Sequence, residues 1–266
     1  MGPYKVLFLD IDGTILLPDD TVQESTKVAI RHVQEQGMEV FLATGRPLHE
    51  ISELAEQLKV HSFIGYNGAY AIYNGKDILM QPIEPKTLDR LLTISRERNH
   101  EVVMYTNEEN VLTGIDTSCM QQFIRIFHLK HNRVYDPKKQ DPVLGMTLLN
   151  VSREDVAAYE ACNGIHLASV NVGDLKAHAY DVIRDTTNKG IAVQQTLSYL
   201  GIEKEEAVAF GDGMNDKEML KYVGVGIAMG NAHPDLLAYA DDQTTSVECD
   251  GVSNGLKKLG LVPRIL

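Results

Sequence analysis

The sequence predicts an α/β protein, a doubly wound parallel sheet whose chain is interrupted by an α+β insertion. Three observations carry that expectation. Short apolar runs without alternation, such as Val6–Leu9 and Ala207–Phe210, read as strands buried on both faces, as parallel strands are. Stretches of helical period separate the early runs, giving strand, helix, strand, helix, strand with right-handed crossovers. The pattern then changes over residues 83–184 and resumes afterwards, and a chain of 266 residues is near the length at which one core divides into two. The expected organisation is a core built from residues 1–82 and 185–266 around an inserted domain, 83–184.

Each element has its own signal. After the first strand, Thr21-Val-Gln-Glu24 has the spacing of a capping box, and Val22, Thr26, Ala29, Ile30 and Val33 recur at helical spacing up to Gly37. Met38–Thr44 predicts a second buried strand, Leu48–Lys59 a second helix and Ser62–Asn67 a third strand. Asn74-Gly75 between apolar runs predicts a hairpin. In the insertion, a helix beginning near Pro82, a strand Glu101–Thr106, an exposed loop Tyr135–Pro142, a strand Gly145–Val151, a helix capped by Ser152 and strands at His166–Val172 and His178–Arg184 give a mixed order. Helix Asn188–Leu200, strand Ala207–Phe210, helix Asn215–Tyr222, strand Val223–Met229 and a helix around Pro234–Ala240 complete the chain.

Composition excludes several classes of function. A hydrophobic fraction of 44% with 23% charged residues is that of a folded globular protein, and no repeat or low-complexity tract is visible. The net charge of −12 disfavours nucleic acid and anionic membrane as partners. No apolar run is long enough to span a bilayer, no signal sequence is evident, and Met1-Gly2 lacks the rest of a myristoylation signal, so a cytoplasmic location is expected. The three cysteines, Cys119, Cys162 and Cys249, are too few and too scattered for a disulfide framework or zinc site, and the nine histidines, expected at the surface, form no metal motif.

The chemistry sits at strand ends. In an open α/β sheet ligands bind beyond the C-terminal ends of the strands, where the winding reverses. Four strands end in polar residues: Asp10 and Asp12, then Thr44-Gly45-Arg46, then Asn67-Gly68, and Gly211-Asp212-Gly213 with Asn215 and Asp216. Two carboxylates as close in sequence as Asp10 and Asp12, at the end of a buried strand, resist desolvation unless something positive lies between them, which sets a cation site against a solvated turn as the two readings.

In this order, "DIDGT", "ATGR", "NG", "NKG" and "GDGMND" resemble the motifs of the haloacid dehalogenase superfamily of phosphatases, and the insertion is similar to the C2-type cap of its Cof subgroup, which includes bacterial sugar phosphatases. The resemblance covers nearly the whole chain and implies a Rossmann-like core with Mg2+ as cofactor. It implies Asp10 as nucleophile forming an aspartyl-phosphate, Asp12 as general acid and base, and Lys189 as the cation stabilising nucleophile and phosphate. Asp10, Asp12 through its backbone carbonyl, Asp212 and Asp216 would form the metal site, and Thr44, Gly45, Arg46, Asn67, Lys189 and Asn215 would contact phosphate or substrate. Gly230-Asn231-Ala232 would lie near the rim. The expected activity is Mg2+-dependent hydrolysis of a small phosphorylated metabolite, a sugar phosphate in the leading case. A phosphosugar mutase, or a regulator that binds a phosphometabolite without turnover, are the competing readings.

Overall fold

In the computed structural model, residues 3–170, 175 and 177–263 are described. In chain order, β1 (Val6–Leu9), α1 (Glu24–Glu35), β2 (Glu39–Ala43), α2 (Ser52–Leu58), β3 (Phe63–Gly65), β4 (Tyr70–Tyr73) and β5 (Lys76–Met80) come first. There follow α3 (Pro85–Glu97), β6 (Glu101–Tyr105), β7 (Asn110–Leu112), α4 (Ser118–Ile126), β8 (Asn132–Val134), β9 (Gly145–Leu149), α5 (Val156–Glu160), β10 (Ile165–Ser169) and β11 (Ala179–Arg184). The chain closes with α6 (Lys189–Leu200), β12 (Ala207–Gly211), α7 (Lys217–Tyr222), β13 (Val225–Ala228), β14 (Asp242–Gln243) and α8 (Gly251–Lys258). Two compact units result, one of Met1–Arg46, Ser52–Leu79 and Asn188–Leu266, the other of Pro47–Ile51 and Met80–Thr187.

The first unit holds an eight-stranded sheet in the order β14-β13-β12-β1-β2-β3-β4-β5. From β14 to β3 every pairing is parallel, and the β4 edge is antiparallel to β3. All four residues of β1 are buried, which is why its sequence shows no alternation. Phe8 and Phe41 pack against Ala192, Val193 and Leu197 of α6 on one face. The β4–β5 hairpin turns on Asn74 (φ 47°) and Gly75 (φ 78°), both in the left-handed region that a two-residue turn of this kind requires.

The second unit holds a six-stranded sheet in the order β10-β11-β9-β6-β7-β8, antiparallel except for the β7–β8 pair. Leu91 and Leu92 of α3 and Tyr159 of α5 join a core with Val102, Met104, Met146 and Leu148 on one face. Met120 and Phe123 of α4 join a second core with Val103, Leu112 and Leu149 on the other.

Several local expectations are corrected. The Thr21–Glu24 capping box does not form: α1 starts at Glu24 behind Gln23, and the Thr21 hydroxyl donates to the nearer Asp19 carboxylate at 2.5 Å. Ser152 caps no helix; its hydroxyl donates to Asp155 at 2.8 Å and α5 begins only at Val156. The expected helix Leu48–Lys59 is a 3-10 turn, Leu48–Glu50, followed by α2, and Asn215–Tyr222 divides likewise into Met214–Asp216 and α7. The segment at Pro234–Tyr239 is 3-10 rather than α. The strand expected at His166–Val172 is Ile165–Ser169, and residues 171–172 lie outside the described residues. The histidines are not all superficial: His100 is 8% exposed and the His49 side chain 9%.

Candidate active site

The parallel sheet reverses its winding between β1 and β12, because the chain leaves β1 toward β2 and returns on the other side at β12. That is where such sheets open a crevice at their C-terminal ends. Asp10 is the first residue past β1 and its amide donates to the Phe210 carbonyl at 3.0 Å, which fixes it against β12. Asp212 is the first residue past β12. Between them the chain turns at Gly13, whose φ is 78° and where a Cβ would collide with the Asp212 carboxylate. Only glycine fits both demands.

Lys189 opens α6, which is capped by the Asn188 side chain accepting from the Ile191 amide at 2.9 Å. The lysine is fully buried, and its Nζ donates to Asp10 Oδ1 at 2.5 Å and to Asp216 Oδ1 at 2.6 Å. Burial works against its charge, but the two carboxylates outweigh it and hold the ammonium above its ordinary pKa. Asp216 is itself fully buried, and its second oxygen accepts from the amides of Asp212 and Gly213, both at 3.0 Å. A buried ion pair is tolerated only when its remaining lone pairs are satisfied in this way.

Asp10, Asp212 and Asp216 offer carboxylate oxygens within 4.8 Å of one another. Burial, and next the charge of Asp216, raise the Asp10 carboxyl well above the usual range against the pull of Lys189. The same two causes push Asp212 up to about 7. Three carboxylates face one ammonium, so the cluster has a deficit of positive charge. Its donors are all hard oxygens, and it therefore fits a hard divalent cation.

The other predicted residues surround this cluster. Asp12 is 53% exposed and its carboxylate is gripped by Arg46, with Nε donating to Oδ2 at 3.0 Å and Nη2 to Oδ1. Arg46 also reaches Asp20 at 3.3 Å, a partner the sequence gives no sign of. Thr44, fully buried past β2, accepts from the Arg46 amide on its hydroxyl at 3.0 Å and receives the Asn67 amide on its carbonyl at 3.1 Å. Gly45, exposed between Thr44 and Arg46, packs beside the Asn67 side chain. Asn67 takes a left-handed backbone (φ 52°), and its Oδ1 accepts from Asn215 Nδ2 at 3.1 Å, joining two strand ends. Asn231 donates to the Gly13 carbonyl at 2.8 Å and to Asp212 at 3.3 Å, a tighter role than a place near the rim. All ten predicted residues belong to the first unit.

Comparison with known proteins agrees with this geometry. Residues 7–256 match the haloacid dehalogenase-like hydrolase family. YkrA of Bacillus subtilis (strain 168) is 33% identical over 258 residues, 97% of this chain and 98% of that protein. The 5-amino-6-(5-phospho-D-ribitylamino)uracil phosphatase YitU of the same organism is 27% identical, covering 96% and 97%. The solved structure of BT1666 from Bacteroides thetaiotaomicron, one of the phosphatases of the haloalkanoate (HAD) superfamily, superposes with a TM-score of 0.83 at 26% identity, covering 97% of this chain and 96% of that one. With a buried lysine between carboxylates at the switch point and a family match over almost its full length, the chain belongs to the haloacid dehalogenase-like hydrolases and is a phosphatase of that family.

Proposed function

We propose that the protein hydrolyses a small phosphate monoester, a sugar phosphate in the first instance, with Mg2+ as cofactor and a covalent phosphoryl group on Asp10. The observation that carries this reading is Lys189 Nζ, buried and bonded to Asp10 and Asp216 beside the Asp212 carboxylate. A nucleophilic carboxylate must approach a phosphate dianion, and the lysine lowers that repulsion while fixing one Asp10 oxygen, leaving the other to attack.

In the first step an Asp10 oxygen forms a bond to phosphorus as the bond to the leaving oxygen breaks, and Asp12 gives its proton to that oxygen. In the second, Asp12 takes a proton from water, the water oxygen bonds to phosphorus, and the Asp10–phosphorus bond breaks to release inorganic phosphate. Asp12 suits this shuttle because it is half exposed at the site, and Arg46 positions its carboxylate. The Thr44 hydroxyl and the Asn215 amide supply donors to the phosphoryl oxygens. Asp10, Asp212 and the Asp12 backbone carbonyl would hold Mg2+, with Asp216 supporting them through Lys189 and the amides of Asp212 and Gly213. Bound there, the cation would offset negative charge on the carboxylates and phosphoryl oxygens.

The second unit is proposed to act as the cap that selects the organic group, because every residue given a chemical role lies outside it. YitU acts, by its name, on a ribityl phosphate, which favours hydroxylated substrates for this chain as well. The test is a phosphate-release screen over phosphorylated sugars, polyols, nucleotides and organic acids, with and without Mg2+. Metal-dependent release of free phosphate supports hydrolysis. Isomerised phosphosugar without release would replace it with a mutase, and tight binding without either product would replace it with a regulator.

A further inference from the structure

Asn231 takes no part in the steps proposed for phosphoryl transfer. Its side chain is exposed, where an amide ordinarily hydrogen-bonds to water, yet both its oxygen and its nitrogen are engaged by protein. Oδ1 accepts from the Val247 amide at 2.8 Å, which fixes the orientation of the group and makes Nδ2 the donor. Nδ2 donates to the Gly13 carbonyl at 2.8 Å and to Asp212 Oδ2 at 3.3 Å. One side chain thus joins the turn after β1, the residue after β12 and the 3-10 turn Val247–Cys249. All of these residues belong to the first unit.

The backbone on either side is anchored as well. The Met229 amide donates to the Gly211 carbonyl at 3.0 Å and the His233 amide to the Asp212 carbonyl at 2.8 Å, which docks the segment carrying Asn231 onto the end of β12. The Gly230 amide donates to the Thr245 carbonyl at 3.0 Å. Beyond Val247, the Gln23 side chain donates to the Glu248 carbonyl at 2.8 Å and accepts from the Asp250 amide at 3.1 Å. Asn231 is therefore a fixed point against which a neighbour can be held. Asp212 needs one. Among the described residues Asn231 is the one side-chain amide that donates to its carboxylate, whose charged neighbours, Lys189 apart, are the carboxylates Asp216, Asp12 and Asp10. Without that donor, repulsion favours rotamers that turn the Asp212 carboxylate away from the others.

We infer that Asn231 is a positioning residue whose amide fixes the rotation of the Asp212 carboxylate toward the cation and, through the Gly13 carbonyl, the turn that carries Asp12. This rests on the Mg2+-dependent phosphatase reading. Gly13 directly follows Asp12, so a shift of the Gly13 peptide moves both the Asp12 backbone carbonyl and the Asp12 carboxylate. A group that orients a metal ligand changes metal affinity without touching the metal. A misplaced acid–base group lowers kcat while leaving substrate binding largely intact.

The experiment measures Mg2+ binding by calorimetry without ester, and kcat and KM for p-nitrophenyl phosphate at saturating Mg2+, in wild type, Asn231→Ala and Asn254→Ala. Asn254 Nδ2 donates to the Thr245 hydroxyl and the Cys249 carbonyl, both at 3.0 Å, so its loss loosens the same 245–249 segment without removing a bond to Gly13 or Asp212. Asn231→Ala should bind Mg2+ about tenfold more weakly. Its kcat should fall about tenfold with KM changed less than about threefold. Asn254→Ala should stay within about twofold of wild type in every one of these quantities. An Asn231→Ala protein within about twofold of wild type overturns the inference. An equal loss in Asn254→Ala also overturns it, because loosening of the segment would then account for the effect. A further measurement needs no variant: in 15N-labelled wild type, Mg2+ should shift the side-chain amide resonances of Asn231 and leave those of Asn254 in place. Unmoved Asn231 resonances overturn the inference. Wild type that binds Mg2+ but releases phosphate from no ester is a separate failure, that of the phosphatase reading, and leaves the binding and resonance measurements to decide the place of Asn231.

Discussion

Mg2+ should bind more weakly as the pH falls through about 7, because protons and cation compete for the same carboxylates. Burial and then the charge of Asp216 push Asp212 up to about 7, and Asp10 is raised by the same causes. A metal that binds only the ionised site has an apparent Kd that grows about tenfold for each pH unit below that value, so moving from about pH 8 to about pH 6 weakens it about tenfold. For the metal-free protein the sign is opposite. A carboxyl whose folded pKa lies above its unfolded value contributes stability that is complete below 3.8, the ordinary value, and is lost as pH rises through about 7. At about 1.36 kcal/mol per pKa unit the limit for Asp212 is about 4 kcal/mol, and its partial exposure reduces this to about 2 kcal/mol. Metal-free protein is thus expected to be more stable near pH 5 than near pH 8, with saturating Mg2+ closing the gap. Calorimetric titration in two buffers of different ionisation enthalpy reads both affinity and protons released. A Kd that varies less than about twofold between about pH 6 and pH 8, with no proton release, would refute the shared site.

Three further outcomes are expected. Asp10→Asn should abolish phosphate release while leaving the melting transition in place, since the amide is nearly isosteric but a poor nucleophile; wild-type turnover, with reversion to aspartate excluded by mass, rules out a covalent phosphoryl group on Asp10. Lys189→Met should destabilise the protein by about 3–5 kcal/mol at neutral pH, because Asp10 and Asp216 lose their buried partner. The loss should shrink at low pH as the carboxylates protonate, and a urea-unfolding difference below about 1 kcal/mol at neutral pH counts against that pairing. Arg46→Lys should lower kcat about tenfold with less change in KM, because an ammonium cannot grip both Asp12 oxygens; an unchanged kcat in steady-state assays means that Asp12 needs no positioning by Arg46.

The parallel sheet was legible because its strands are uniformly buried. Val6, Leu7, Phe8 and Leu9 are all without exposure, so their sequence carries no alternation and cannot be mistaken for a half-solvated strand. Residues 107–134 were not legible. The strand β7 is three residues long and fully buried, β8 is three residues long and partly exposed, and α4 begins at a threonine whose hydroxyl caps the Met120 amide at 3.2 Å. Runs that short hold less than two periods of any pattern. The capping box at Thr21 failed for a related reason, since Asp19 competes for the same hydroxyl at shorter range.

The site divides along the same line, between local turns and distant partners. Asp10, Thr44, Asn67 and Asp212 could be placed together because each ends a buried strand, and the ends of parallel strands gather on one rim whatever their separation in sequence. Lys189 ends no strand. It lies 179 residues from Asp10, and only the resemblance of its motif singled it out, because a lysine at a helix start is usually solvated. His49 had neither aid. Its partner Asn110 is 61 residues away in β7, a strand the sequence did not reveal, so nothing near His49 marks it as buried. A residue whose chemistry is shared by its whole fold leaves a motif, whereas one buried through contacts particular to one chain leaves none. For that reason Asp10 could be argued from eleven residues of sequence, and the burial of His49 only from its contact with Asn110.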